Sequence, residues 1–249
     1  MKKNIIALSF TLMFLPVFSY CADNKRDENI ILPDTSLIDI PTSGIIDYYG
    51  FSFKSRFYSS GGVLTWLNFG VMERLNLGAS FMVDNLVGSQ TPVKMVQPQM
   101  QVKFRFYDGG IYLPSLALGY DGQGYYYDRD LKKYMEKEKG LYLAASKEIL
   151  APGLVAHGGL NVPDFDDNYL FSFLGLNYTL EDKVALMAEM DNMFHSDDPS
   201  RFNLGARFYI TPSFSLDAAL REIGKSDKFS NGWPRKSERI LQLRYNTSF

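Results

Sequence analysis

Basic side chains recur at alternate positions in several parts of this sequence. Lys54 and Arg56 are two residues apart, as are Lys103 and Arg105. A β-strand turns alternate side chains to one face, so each pair would present two cations side by side. An arginine fork holds a carboxylate through two hydrogen bonds, so such a face favours anion binding. The predicted basic wall consists of Lys54, Arg56, Lys103, Arg105, Arg201, Arg207, Arg221 and Arg244.

Residue types that support catalysis are scarce. The two histidines are His157, in a weakly alternating segment, and His195, in an acidic loop next to Ser196. A serine and a histidine in sequence do not make a catalytic triad, and the chain has no GxSxG nucleophile elbow. The acidic loops lack the spacing of an EF-hand, so solvated loops explain them more simply than Ca²⁺ sites. We therefore expect no enzyme, no cofactor and no metal; an outer-membrane hydrolase is the least favoured alternative.

An aromatic run forms a third candidate, in a long polar link. Tyr125, Tyr126 and Tyr127 are consecutive there. Their rings could stack on sugars, and they could equally form part of the aromatic belt at a membrane interface. Both interpretations remain open at this point.

The elements that carry these residues alternate between apolar and polar side chains. From 201 to 210, apolar residues occupy every even position, whereas Arg201, Asn203 and Arg207 occupy odd ones. A period of two predicts a strand, since a helix would mix the two sets around its circumference. The predicted strands are 45–58, 62–71, 75–84, 94–108, 111–121, 139–149, 153–162, 169–180, 183–192, 200–210, 213–223 and 238–249.

The connections also follow a pattern. Most turns are tight on one side, as at Glu73-Arg74, and long and polar on the other, as at 122–138. Short periplasmic turns and long exterior loops are typical of outer-membrane barrels. We predict an all-β fold, an antiparallel up-and-down transmembrane barrel of about 12 strands over residues 45–249. A periplasmic arm over 22–44 precedes it, and part of this arm could enter the barrel mouth.

The N-terminus has the features of a secretory signal. Lys2 and Lys3 precede an apolar stretch, and small residues then permit cleavage after Cys21, with cleavage after Ala22 as an alternative. A lipoprotein would instead keep Cys21 as its lipidated residue. Removing residues 1–21 as a signal peptide also removes the one cysteine of the sequence.

The C-terminus carries the most specific signal. Leu243, Tyr245 and the final Phe249 alternate with polar residues. A last strand that ends in this way resembles the signal read by the barrel-insertion machinery of the outer membrane. It predicts location in the outer membrane of a Gram-negative-type bacterium, with lipid and lipopolysaccharide as partners.

Composition supports this class of protein. The net charge of −2 gives no reason to expect nucleic acid, and aromatics reach 15%. No apolar stretch after the signal is long enough for a spanning helix, so a membrane-integral chain must form a barrel. Its polar faces would then line the lumen and carry the basic wall. The alternative is that these cations pair with acids such as Asp121 and Glu189 across a filled lumen.

Several stretches resemble the YjbH-like outer-membrane β-barrel proteins, a family associated with exopolysaccharide export loci. The stretches are Phe57–Leu64, Lys103–Gly110, Leu116–Gly124, Lys139–Leu143, Glu181–Leu186 and Arg201–Phe208. They are distributed over turns and strands of nearly the whole mature chain. The resemblance implies a short, single-barrel member, with no catalytic residues to assign.

These observations predict a narrow channel or accessory barrel for polysaccharide or small anionic solutes. Basic residues in its lumen would select for anions. The alternative is a non-conducting scaffold or adhesin that displays exterior loops. Polysaccharide or components of a secretion complex are the expected further partners.

Overall fold

The structure, a computed structural model, describes residues 33–89, 91–163, 170–194, 200–225 and 227–247. These residues belong to one compact unit, 31–249. In these ranges the regular structure is β-strand, apart from a 3₁₀ turn at Ser59–Gly61. No helix in the described residues is long and apolar enough to cross a membrane.

The strands follow the chain in simple succession. They are β1 (Phe51–Tyr58), β2 (Gly62–Met72), β3 (Leu75–Asp84), β4 (Lys94–Met95), β5 (Gln99–Tyr107), β6 (Ser115–Asp121), β7 (Tyr125–Asp128), β8 (Lys133–Glu136), β9 (Gly140–Glu148), β10 (Leu154–Val162), β11 (Phe171–Leu180), β12 (Val184–Met193), β13 (Arg201–Tyr209), β14 (Phe214–Arg221) and β15 (Glu238–Thr247).

Within the described residues, twelve of these strands close into an antiparallel barrel. Each wall strand pairs with the next, and β1 pairs with both β2 and β15. Closure satisfies the backbone N–H and C=O groups of every wall strand and leaves no free edge. The remaining strands are short: β4 pairs with β3, and β7 pairs with β8 in a separate hairpin. The predicted 12-stranded antiparallel barrel is confirmed.

Among the strand boundaries that differ from the sequence prediction, two have clear local reasons. The first strand begins at Phe51 rather than at residue 45, because Ile45 and Ile46 are buried inside the barrel and a turn follows at Asp47–Gly50. The predicted strand 94–108 is divided into β4 and β5 just before Gln99. Pro98 stands at that division, and proline cannot donate a hydrogen bond to a sheet.

Burial in the wall is the reverse of that in a soluble protein. Along β13, Phe202 and Leu204 are 40% and 41% exposed on the outer face, while Arg207 is 0% exposed on the inner face. Exposed aliphatic and aromatic side chains recur on the outer face of the other wall strands. An apolar exterior around a polar interior is the arrangement of a barrel that faces lipid.

Both ends of the described chain lie at one end of the barrel, here called the terminal end; the longer links lie at the opposite, loop end. Residues 33–46, here called the plug, enter the lumen from the terminal end as a tight hairpin. Its two legs meet at a bridge between Ser36 and Pro41, and the N–H of Leu37 donates to the carbonyl of Ile40. Gly44 permits this closure, since a Cβ there would lie 2.3 Å from the carbonyl oxygen of Asp34.

A second segment enters from the loop end. Residues 122–139, here called the inward loop, link β6 to β9 and contain the β7–β8 hairpin. Tyr125, Tyr127 and Tyr134 pack against a buried apolar cluster on β2 and β3 that includes Leu64 and Trp66. The plug packs on a separate apolar cluster, in which Leu37, Ile38 and Ile40 contact inner side chains of β9 to β15. The plug and the inward loop therefore both pack against inner side chains of the barrel.

Candidate functional site

The predicted basic wall lies on the inner surface, and six of its eight cations contact the plug. Arg56 is on β1, Arg207 on β13, and Arg221 on β14. Because β13, β14, β15 and β1 are consecutive around the closed barrel, their inward side chains converge on one side of the lumen. The six cations that contact the plug are Lys54, Arg56, Lys103, Arg207, Arg221 and Arg244.

The tip of the plug presents one carboxylate to two guanidinium groups. Nη1 of Arg56 lies 2.7 Å from Oδ1 of Asp39, and Nε of Arg221 lies 2.7 Å from Oδ2. Asn203 donates to Oδ2 as well, at 3.3 Å. Burial alone would raise the pKa of Asp39, but Arg221 and Arg56 outweigh it and hold that pKa well below its usual value. Asp39 is therefore ionised at neutral pH.

Glu189 holds the backbone of the same tip. Its carboxylate accepts hydrogen bonds from the N–H groups of Ile38, Asp39 and Ile40, at 3.0, 2.8 and 3.3 Å. An acid on β12 thus satisfies the backbone donors of the turn, while arginines on β1 and β14 bind the side chain of Asp39. The plug is held by groups of both charges.

The inward loop completes the charge cluster around Arg221. Glu136 accepts from Nη2 of Arg221 at 2.6 Å and from Nη1 of Arg201 at 3.0 Å. Glu238 binds Nη1 of Arg221 at 2.7 Å. Arg201 also pairs with Asp191 at 3.3 Å, and it is a predicted wall residue that binds the inward loop rather than the plug. These contacts orient the arginines independently of Asp39.

Nearer the terminal end, arginines donate to the plug backbone. Nη2 of Arg244 donates to the carbonyl of Leu37, and Nη2 of Arg207 donates to the carbonyls of Ser36 and Leu37, both at 3.3 Å. Arg207 also forms an ion pair with Asp34. The plug therefore offers these cations both carbonyl and carboxylate oxygens.

Two lysines complete the wall. Nζ of Lys103 donates to the carbonyls of Thr35, Thr42 and Gly44 at 2.6, 3.1 and 3.2 Å, and so ties together the two legs of the plug. Nζ of Lys54 lies 3.7 Å from the ring centroid of Trp66. A cation above an indole ring is stabilised by the negative face of the ring.

A cavity remains between the plug and the opposite wall. It holds about 90 Å³, which is room for a few water molecules. Lys54, Lys103, Asp121, Asn68 and Gln101 are among its lining residues. Polar and charged side chains therefore border this open space, and Arg201 and Arg244 are also among them.

Arg105 is the predicted wall residue that lies apart from the others. It is near the terminal end of β5, where its Nε pairs with Asp108 at 2.8 Å. Asp108 also binds Arg74 at the same rim, and all three side chains are partly exposed. A register irregularity between Arg105 and Tyr107 interrupts the alternation of β5 at this point.

The three tyrosines have different surroundings. The ring of Tyr125 lies under Arg221, 4.2 Å from its guanidinium carbon, and its hydroxyl accepts from Arg56. The ring of Tyr126 packs against Phe229, and that of Tyr127 against Tyr134. None of the three is exposed, so in this structure they pack within the inward loop and its neighbours rather than as a belt facing lipid.

The other predicted residues are quickly placed. His157 is buried, with Ser146 and Asn177 hydrogen-bonded to its two ring nitrogens. Leu243 and Tyr245 point outward from β15, opposite in direction to Gln242 and Arg244. Phe249, His195, the acidic loop 164–168 and the predicted signal 1–21 lie outside the described residues.

The plug is the main element of the site that the pattern of alternation does not predict. Its segment contains Pro33 and Pro41 and keeps no lasting period, which suggested a periplasmic arm partly inserted in the barrel mouth. Of that arm the structure describes residues 33–44, which lie in the lumen. The available signal was an acid between two isoleucines, Ile38-Asp39-Ile40, which is unusual in a solvated linker.

Comparison with known proteins agrees with the fold. No family model matches the chain, and no curated protein sequence matches it. A solved KdgM porin superposes with a TM-score of 0.55 at 9% identity, covering 80% of this chain and 99% of that one. A KdgM porin in complex with disordered oligogalacturonate gives a TM-score of 0.50 at 9% identity and the same coverage. At this identity the likeness shows the fold, an antiparallel barrel of porin type.

Proposed function

We propose that this chain is a narrow outer-membrane channel for small anionic solutes, among them acidic fragments of polysaccharides. The observation that carries the proposal is the convergence of six cations on oxygen acceptors inside one closed barrel. Carboxylates already occupy part of this wall, because Asp39 and Asp34 bind its arginines. Such a wall attracts anions and gives them fixed donors during passage.

The structural neighbours support the same class of solute. One KdgM porin was solved with oligogalacturonate, a chain of sugar carboxylates. The resemblance to YjbH-like barrels extends the proposal to exopolysaccharide export. The apolar exterior suits contact with the lipid and lipopolysaccharide of a Gram-negative outer membrane, and the proposed activity is non-enzymatic.

Ion selectivity in planar bilayers tests this function. Lys54 and Lys103 border the remaining cavity, so replacing both with glutamine should lower the preference for anions over cations. Arg105→Gln is the matched control, because Arg105 lies at the exposed rim. Unchanged selectivity in the double variant would contradict a role of the wall in conduction. Absence of conductance in both the wild type and a variant with a weakened plug would contradict the channel itself.

A closed scaffold is the second candidate, and a specific observation favours it. The plug and the inward loop place paired charges inside the lumen. A purely structural barrel also requires its inner charges to be paired. A scaffold should bind its partner through the loop end and should not conduct after the plug is weakened. Conductance of Asp39→Asn therefore separates the two candidates.

A further inference from the structure

We infer that Asp39 occupies a carboxylate-binding subsite, and that the plug is an internal competitor of the anionic solute. The inference rests on the proposed channel function and identifies a specific site within it. The subsite consists of Arg56, Arg221 and Asn203, and its ligand class is a carboxylate-bearing oligosaccharide. Binding of such a solute displaces the plug.

The subsite is formed by residues outside the plug. Nε of Arg56 donates to Gln242 at 3.0 Å, which fixes its guanidinium from β15. Nη1 and Nη2 of Arg221 bind Glu238 and Glu136, which fix its guanidinium from β15 and the inward loop. The donors that Asp39 uses are therefore held in place without it, and preorganised donors favour binding of another carboxylate.

The subsite is also desolvated. The side chains of Arg56 and Arg221 are 0% and 1% exposed, and that of Asp39 is 5% exposed. Charge-assisted hydrogen bonds are strong in such surroundings, and a buried arginine left without a carboxylate is costly. Arg221 keeps Glu136 and Glu238 when Asp39 leaves, whereas Asp39 is the carboxylate that pairs with Arg56. Departure of Asp39 therefore favours binding of another anion beside Arg56.

The rest of the plug resembles a sugar chain in the acceptors that it offers. Lys103, Arg207 and Arg244 donate to backbone carbonyls on the two legs of the plug. An acidic oligosaccharide offers hydroxyl and ring oxygens between its carboxylates, so it can engage the same donors. The plug thus matches the solute class in offering both carboxylate and neutral oxygen acceptors.

The plug can be displaced without damage to the barrel. Its described backbone pairing is the internal bridge from Ser36 to Pro41, and it forms no ladder with a wall strand. Side-chain contacts and the packing of Leu37, Ile38 and Ile40 hold it instead. Its departure would leave every backbone hydrogen bond between wall strands intact.

Asp39→Asn tests the competition directly. The substitution keeps the size of the side chain but removes the charge, so the plug binds its arginines less well. The affinity for oligogalacturonate, measured by calorimetry on the detergent-solubilised full chain, should rise by about tenfold or more. Asp108→Asn, which removes an exposed acid at the terminal rim, should leave the affinity unchanged.

A reversible disulfide between the plug and the wall, here called the lock, provides a second test that does not depend on Asp39. The hydroxyls of Ser43 on the plug and Ser115 on β6 are 2.6 Å apart, which suits a disulfide after Ser43→Cys and Ser115→Cys. In a Cys21→Ser background, oxidation should abolish oligogalacturonate binding and conductance, and reduction should restore both. The control pair, Ser55→Cys with Thr65→Cys, joins facing residues of β1 and β2 and should have no such effect.

The outcomes are distinct. If the wild type binds oligogalacturonate and neither Asp39→Asn nor the oxidised lock changes its affinity, the competition is overturned while the channel function stands. If the wild type, Asp39→Asn and the reduced lock variant all fail to bind and to conduct, the proposed function fails and the inference fails with it.

Discussion

Arg207 and Asp217 face each other across β13 and β14 and form a two-point ion pair. Nε of Arg207 lies 2.8 Å from Oδ1 of Asp217, and Nη2 lies 3.0 Å from Oδ2. Oδ2 also accepts from Nε of Arg244, at 2.8 Å. One wall carboxylate therefore partly neutralises two buried arginines, and both of them keep donors directed at the plug.

Asp217→Asn should destabilise the barrel by about 3–5 kcal/mol, because two buried guanidinium groups lose their shared carboxylate. Urea unfolding from lipid bilayers measures the change. Asp108→Asn, at the exposed rim, should cost less than about 1 kcal/mol. Equal effects of the two substitutions would show that the interior charges are solvated rather than paired.

Gly175→Val should weaken docking of the plug. A Cβ at Gly175 would lie 2.4 Å from Cδ1 of Ile40 and 2.8 Å from Cδ1 of Leu37, so the plug must shift. Overpacking of this kind typically costs about 1–3 kcal/mol. Gly158→Val is the control on β10, because a Cβ there has only ordinary contacts. Single-channel recordings should show more open time for Gly175→Val alone, and identical recordings would contradict the prediction.

Leu204→Lys should impair insertion into the membrane. Leu204 is 41% exposed on the outer face near the middle of β13. A lysine on the lipid face near mid-membrane costs about 2–4 kcal/mol. Leu150→Lys is the control, since Leu150 is 97% exposed in a turn at the terminal end. Folding yields in bilayers should fall for Leu204→Lys and not for Leu150→Lys. The opposite order would contradict the assignment of Leu204 to the lipid-facing surface.

Packing at the loop end should depend on pH through Glu222. Burial and the neighbouring Glu136 raise the pKa of Glu222 from 4.5 to about 7, although Arg235 lies 2.6 Å away. A pKa raised on folding gives stability that is complete below the unfolded value of 4.5 and is lost as pH rises through about 7.

Hydrogen exchange of residues 222–237 measures this dependence. Protection should decrease in the wild type as pH rises through about 7, relative to Glu222→Gln at each pH. Comparison at matched pH cancels the intrinsic change in exchange rate. Parallel protection in both proteins would exclude Glu222 as the titrating group.

The barrel wall was predictable from sequence because its strands obey a local rule. Most of them alternate clearly between apolar and polar side chains, as along β13, and this alternation predicts the position of a strand and the face of each side chain within a few residues. The segment of His157 alternates weakly, and the strands on either side of it set its limits. The division before Gln99 depends on a proline, and the late start at Phe51 depends on a buried segment. The alternation of side chains predicts neither of them.

The contents of the lumen were less predictable because their contacts are remote in sequence. Asp39 and Arg221 are separated by 182 positions, and no local pattern links them. The sequence placed the wall cations on the inner face but could not show what they bind. Tyr125 illustrates the same limit, since its partner Arg56 lies on a strand 69 residues away.

The hairpin form of the plug has a consequence for assembly. Both legs of the plug leave the barrel at its terminal end. Neither closure of the sheet nor departure of the plug therefore requires the chain to be threaded through the lumen. The pairing of β1 with β15 can form first, and the plug can enter the lumen afterwards. Closure of the barrel therefore does not depend on the plug being in place.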